Sequence, residues 1–237
     1  MNIKILYDNT SKNDGFACGW GFSCLVGDSV LFDTGEKAGS LLKNMKTMKV
    51  NISDIKHIVI SHDHWDHAGG LEGVLKKNKN VTIYGGKSFS SEFKELSKKN
   101  NIKPVENKYF SNISGNIYTT GTFSGEYKGN KIEEQSLVIR THNGLTLITG
   151  CAHPGIIKIT EHVKKLFSQD KIYCVLGGFH LKDACDKEII FVCESLKSLG
   201  VEKAGPAHCS GSNGIKIFKG IYKENFVEIS SGTEIEV

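Results

Sequence analysis

Three of the nine histidines fall within six residues, in the stretch Ser61-His62-Asp63-His64-Trp65-Asp66-His67-Ala68-Gly69-Gly70. Imidazole nitrogens and carboxylate oxygens at that density are the donor set of a divalent transition ion, and so many of them would be hard to bury without a cation. His62, His64, Asp66 and His67 are therefore the first ligand candidates. Four donors in six residues exceed what one ion takes from a single loop, so the pattern points to one or two ions whose shells are completed elsewhere. Zinc is the expected metal, with iron and manganese as alternatives. The apolar run Ile58-Val59-Ile60 delivers the chain to this loop, and Gly69-Gly70 lets the next helix approach closely.

Completing donors should sit where other strands end. His153 lies in Thr149-Gly150-Cys151-Ala152-His153-Pro154-Gly155, His208 in Ala204-Gly205-Pro206-Ala207-His208-Cys209, and His180 in Gly177-Gly178-Phe179-His180. Each is a Gly-containing turn after an apolar run, the usual place for functional side chains in layered α/β folds. For His180 two readings stand: contact with substrate or ligand shell, and a histidine closing a strand end. Trp65 has two readings, lining a pocket or packing in the core, of which the core is the commoner for a large aromatic beside such a loop, and Cys209 reads as a small buried residue. No activated-serine elbow and no GxxxxGK[ST] phosphate loop occurs, which leaves metal chemistry as the chemistry the sequence carries.

His62-x-His64-x-Asp66-His67 after a strand, with Phe32-Asp33-Thr34-Gly35 upstream, resembles the metallo-β-lactamase superfamily. The strings around His153, His180 and His208 resemble the branch containing the dihydropterin–aminobenzene ribofuranosyl phosphate synthases. The resemblance implies an α/β fold, a four-layer αββα sandwich of two mixed sheets flanked by helices, as a single domain over 1–237. It further implies His62, His64 and His153 on one ion, and Asp66, His67 and His208 on a second, with Asp66 also orienting a metal-activated hydroxide. Asp33 would orient the ligand loop and not bind metal. Many hydrolases of the superfamily place a bridging Asp after Thr-Gly, where this chain has Cys151. A thiolate there can ligate metal, and a small buried thiol is the other reading.

The elements that must hold these residues are read from hydrophobic period and turn signals. Strands are expected at 3–7, 22–26 and 29–32, the last two joined by Gly27-Asp28; 36–49 reads as an amphipathic helix. Further on, a strand is expected at 58–60, a helix at 68–77, a strand at 81–84 and a helix at 88–99 with Ser88 as cap. The pattern is weak over 107–134. A hairpin then follows across Asn143-Gly144, joining 137–140 and 145–148. The remainder reads as helix 155–168, strand 172–176, helix 186–198, strand 201–204, helix 212–219, and strands near 226–229 and 233–237.

Composition limits the function classes. With 24% charged and 39% hydrophobic residues, the chain is a folded protein. The net charge is +4, but 29 of its 30 basic residues are lysine, with Arg140 the exception. Phosphate recognition leans on the guanidinium fork, so the lysines read as a solvating surface, and no nucleic-acid partner is expected. No apolar run is long enough for a membrane span. Seven cysteines without a CxxC pair, and an N-terminus that turns polar by Asp8, give the expectation of a reducing cytoplasm. The expected activity is hydrolysis of a small-molecule substrate. The alternatives are transfer of a dihydropterin from its diphosphate to an aminobenzene ribose phosphate, and a metal-binding sensor or scaffold without turnover.

Overall fold

Short apolar runs in the first hundred residues pair into one mixed sheet, and a computed structural model describes residues 1–237 in full. The elements are β1 (Asn2–Tyr7), β2 (Ser23–Val26), β3 (Val30–Phe32), α1 (Ala38–Thr47), β4 (His57–Val59), α2 (Trp65–Ala68), α3 (Leu71–Leu75), β5 (Thr82–Gly85), α4 (Ser91–Lys99) and β6 (Val105–Glu106). The second stretch contains β7 (Ser111–Ser114), β8 (Ile117–Thr119), β9 (Phe123–Tyr127), β10 (Asn130–Glu134), β11 (Leu137–Thr141), β12 (Gly144–Thr149), α5 (Ile156–Leu166), β13 (Ile172–Gly178), α6 (Asp186–Ser198), β14 (Lys203–Ala207) and α7 (Gly211–Tyr222). A last strand, β15 (Glu234–Glu236), returns to β1. The chain divides into two units, 1–109 with 230–236, and 110–229 with Val237.

In the first unit the strand order is β15-β1-β2-β3-β4-β5-β6. Pairing is antiparallel from β15 to β3 and parallel from β3 to β6. Its core joins Leu6, Leu25, Leu31 and Ile58 of the sheet to Leu41 and Met45 of α1 and to Leu71 and Val74 of α3. In the second unit the order is β14-β13-β12-β11-β8-β7. There β14, β13 and β12 run parallel and the rest antiparallel. Leu145, Leu147 and Val175 pack with Ile159 and Val163 of α5, Ile189 and Leu196 of α6, and Phe218 of α7. Each sheet is therefore part hairpin and part parallel, and parallel strands need helical crossovers. The α/β class with two large mixed sheets is as the sequence implied.

Several boundaries differ for identifiable reasons. The helix expected at 68–77 is two short helices, because the chain turns at Gly69-Gly70. A Cβ on Gly70 would stand 2.2 Å from the Thr34 carbonyl oxygen, so the close approach inferred from the glycine pair is real. Ser90 replaces Ser88 as the cap of α4, its hydroxyl accepting from the Phe93 N–H. The hairpin turn is His142-Asn143, one residue earlier than expected, with Gly144 already paired to Thr141. No strand forms over 226–229; Phe226 makes a single bridge to Ala204. Trp65 is 59% exposed and leaves the core reading. The weak stretch 107–134 holds four strands, two of them the separate hairpin β9–β10. No helix is long and apolar enough to cross a membrane.

Candidate metal centre

Parallel pairing of β3 and β4 sets Phe32 beside Val59, so the residues just beyond both strand ends meet. Asp33, fully buried, lies there with a positive φ of 54°. Its carboxylate accepts the Ser61 N–H at 2.7 Å, the Ser61 hydroxyl at 2.7 Å and the His67 ring at Nδ1 at 2.7 Å. Thr34 continues the clamp, donating its N–H and its hydroxyl to the His67 carbonyl at 2.7 and 2.9 Å.

This network decides which ring nitrogens face outward. The Ser61 hydrogen is committed to Asp33, so Ser61 Oγ accepts from His62 Nδ1, 2.9 Å away. His67 likewise spends its Nδ1 hydrogen on Asp33. Both imidazoles are thereby held as the Nδ1–H tautomer, the one in which Nε2 is the ligating nitrogen. His62 and His67 are fully buried with ring centroids 4.2 Å apart, and His64 lies 4.6 Å from His62. Asp66 Oδ2 is 3.8 Å from His67 Nε2. The motif's other carboxylate, Asp63, turns away to accept the Ser90 N–H at the start of α4.

The second unit builds its cluster from three separate loops. Register aligns Thr149 with Gly177 and Gly178 with Ala207, so β12, β13 and β14 end side by side. The loops that follow are cross-linked: Gly178 N–H donates to the Gly150 carbonyl, Phe179 N–H to Ser210 Oγ, and Leu181 N–H to the Cys209 carbonyl. Donor atoms of Cys151, His153 and His180 lie within 4.8 Å of one another, as do those of Cys151, His208 and Cys209. Four of the eight non-glycine residues with positive φ are at the two clusters, namely Asp33, Ala152, His180 and His208. Such backbone strain costs of order 1–3 kcal/mol per residue and persists where surrounding contacts over-determine it.

Two residues here carry no signal in the sequence reading. Glu134, buried at the end of β10, accepts the N–H groups of Cys151, Ala152 and His153 at 2.9, 2.7 and 2.7 Å. It fixes the His153 loop as Asp33 fixes the His62 loop. Tyr127 of β9 sets its ring 5.2 Å from that of His153 and 6.0 Å from that of His180. His180 is exposed, and its hydrogen bond to Cys209 raises its pKa above the ordinary imidazole value against a burial effect of opposite sign. Burial alone would push the Cys209 thiol up, but its hydrogen bonds to Cys151 and His180 and the neighbouring His208 bring it well below the usual thiol range. A cavity of about 210 Å³ opens beside His153 and His180, walled by Ile156, Ile157, Phe179 and Leu181.

The metallo-beta-lactamase superfamily model matches residues 23–155, more than half of the chain. The chain belongs to the metallo-β-lactamase superfamily. Among its relatives, a 7,8-dihydropterin-6-methyl-4-(beta-D-ribofuranosyl)-aminobenzene-5'-phosphate synthase of Methanocaldococcus jannaschii is 32% identical over 246 residues, covering 87% of this chain and 84% of that protein. An uncharacterized protein of the same organism is 32% identical over 240 residues, with 88% and 90% covered. A crystal structure described as a metal-dependent hydrolase of the beta-lactamase superfamily is 34% identical, has a TM-score of 0.83 and covers 100% of this chain and 99% of that one.

Membership in the superfamily implies a divalent metal, and the residues present fit one. The test is the donor chemistry: buried imidazoles are oriented through Nδ1 by Ser61 and Asp33, the arrangement in which metal-ligating histidines present Nε2. The thiols of Cys151 and Cys209 extend the donor set of the second cluster toward softer ions.

Proposed function

We propose that the chain is a metal-dependent hydrolase of a small organic substrate. The observation that carries this reading is the Asp33–Ser61 network, which holds His62 and His67 in the ligand tautomer. In the proposal His62, His64 and His153 hold one ion, Asp66, His67 and His208 hold a second, and Cys151 adds a thiolate. A zinc-like ion in such a set would supply Lewis acidity and lower the pKa of water toward roughly 7. The chain's own groups do the rest. Asp66 orients the attacking water, and exposed His180 donates a hydrogen bond to the substrate. The apolar cavity of about 210 Å³ lies below the usual 300–1,000 Å³ of ligand pockets, so it suits a single ring or a short acyl group. A reducing compartment such as the cytoplasm would keep the thiols competent.

A second reading is transfer of a dihydropterin from its diphosphate to an aminobenzene ribose phosphate. The near full-length likeness to the synthase favours it. The two share metal and site and differ in what attacks. Metal analysis of protein purified without added metal should give about two transition ions per chain, with His62→Ala and His208→Ala each losing at least one. Turnover is then assayed on esters, lactones, phosphodiesters and a dihydropterin diphosphate, with and without the aminobenzene acceptor. Water-dependent cleavage supports the hydrolase, and an acceptor-dependent coupled product replaces it with the transferase. A full metal complement in both variants overturns the ligand assignment.

A further inference from the structure

Cys209 has no part in the proposal above, yet it lies inside the second cluster. The sulfurs of Cys151 and Cys209 and a ring nitrogen of His208 are mutually within 4.8 Å, and the three residues are 4%, 6% and 2% exposed. The Cys209 thiol donates to the Cys151 carbonyl at 3.5 Å, so the two residues already face each other. Space around the sulfur is held open by a residue without a side chain: a Cβ on Gly178 would stand 2.6 Å from Cys209 Sγ. His208 reaches the cluster only by taking a φ of 47°, a conformation that a histidine adopts at a cost.

A tetrahedral ion with sulfur bonds of about 2.3 Å and nitrogen bonds of about 2.0 Å keeps its donors roughly 3.3–3.8 Å apart. The observed spread of up to 4.8 Å is wider than this, so binding would draw the three donors together. Two thiols and an imidazole make a soft donor set, which prefers zinc and other thiophilic ions to magnesium or manganese.

We propose that Cys151, His208 and Cys209 form a thiolate-bearing metal site in which Cys209 is the second sulfur ligand. The site deepens the metal-enzyme reading, since it shares His208 with the second ion of that proposal. On binding, each thiol releases its proton to solvent and each sulfur gives one lone pair to the ion; no electron is transferred.

The test uses the whole chain loaded with cobalt(II) or zinc. Cobalt should give a near-ultraviolet sulfur-to-metal charge-transfer band, and Cys209→Ser and Cys151→Ser should each lose about half of it, the thiolate being the donor. X-ray absorption at the zinc edge averages over the ions, so the number of sulfurs per zinc at about 2.3 Å, multiplied by the measured zinc content, should give two sulfurs per chain in the unmutated protein. That count needs no variant, so it decides the matter even if Cys209→Ser misfolds. One sulfur or none, or a full cobalt band in Cys209→Ser, overturns the site while the metal-enzyme reading stands. A chain that takes up no metal overturns both.

Discussion

The two units solve one problem, holding ligand-bearing loops at the ends of parallel strands, with two different uses of a buried carboxylate. Asp33 reaches the imidazole of His67 directly and that of His62 through Ser61, so it sets ring tautomer as well as loop position. Glu134 bonds the backbone N–H groups of 151–153 and leaves the choice of ring nitrogen to other contacts. In the first unit a single contiguous motif supplies every donor, whereas in the second three loops each supply part. A contiguous motif can be tuned from one side chain; a dispersed cluster depends on sheet register and on cross-links between loops.

The largest effect expected from this contrast is at Asp33. Asp33→Ala leaves the Ser61 N–H, the Ser61 hydroxyl and the His67 Nδ1 hydrogen buried without their acceptor, and should cost about 3–5 kcal/mol. Urea unfolding measures the loss, and metal analysis on the residual folded protein should show depletion of the His62 cluster. A variant of wild-type stability and metal content would remove Asp33 from its orienting role.

Glu134→Gln should fall below this, at about 1–3 kcal/mol, because an amide oxygen still accepts while the amide nitrogen opposes one N–H. The contrast is sharpest in the metal: ions held by His62 and His67 should be retained, and donors on the His153 loop should bind more weakly. Equal metal loss in the Asp33 and Glu134 variants would erase the proposed difference between tautomer control and loop control. Titration with a chromophoric chelator reads both variants on one scale.

The same contrast explains what the sequence revealed. His62, His64, Asp66 and His67 were legible because their spacing is local and their chemistry has few other uses. His153, His180 and His208 could be marked only as strand-end histidines; their convergence depends on the parallel register of β12, β13 and β14, which no local pattern encodes. Glu134 and Tyr127 carry no sequence signal because β9 alternates over only five residues with a glycine at its centre, and β10 has a single apolar residue, Ile132. Glu134 acquires its role only from N–H groups 17–19 residues later. Trp65 was misplaced because a large aromatic beside a buried loop usually belongs to the core, whereas here α2 is one turn long and turns its first residue to solvent.

The smallest effect separates orientation from packing within a matched pair of serines. Ser61→Ala removes the acceptor for His62 Nδ1 and one donor to Asp33, and should cost about 1 kcal/mol of stability. Freed to rotate, the His62 ring should lower metal affinity by roughly 10–100-fold. Ser210→Ala removes the acceptor of the Phe179 N–H at 3.0 Å, a contact that fixes a loop but no ring nitrogen. It should cost a similar amount of stability and change affinity far less. Competition against a chelator of known affinity reads the difference, because a pure packing defect would weaken metal binding equally in both variants. Only control of the His62 tautomer by Ser61 puts the loss on one of them.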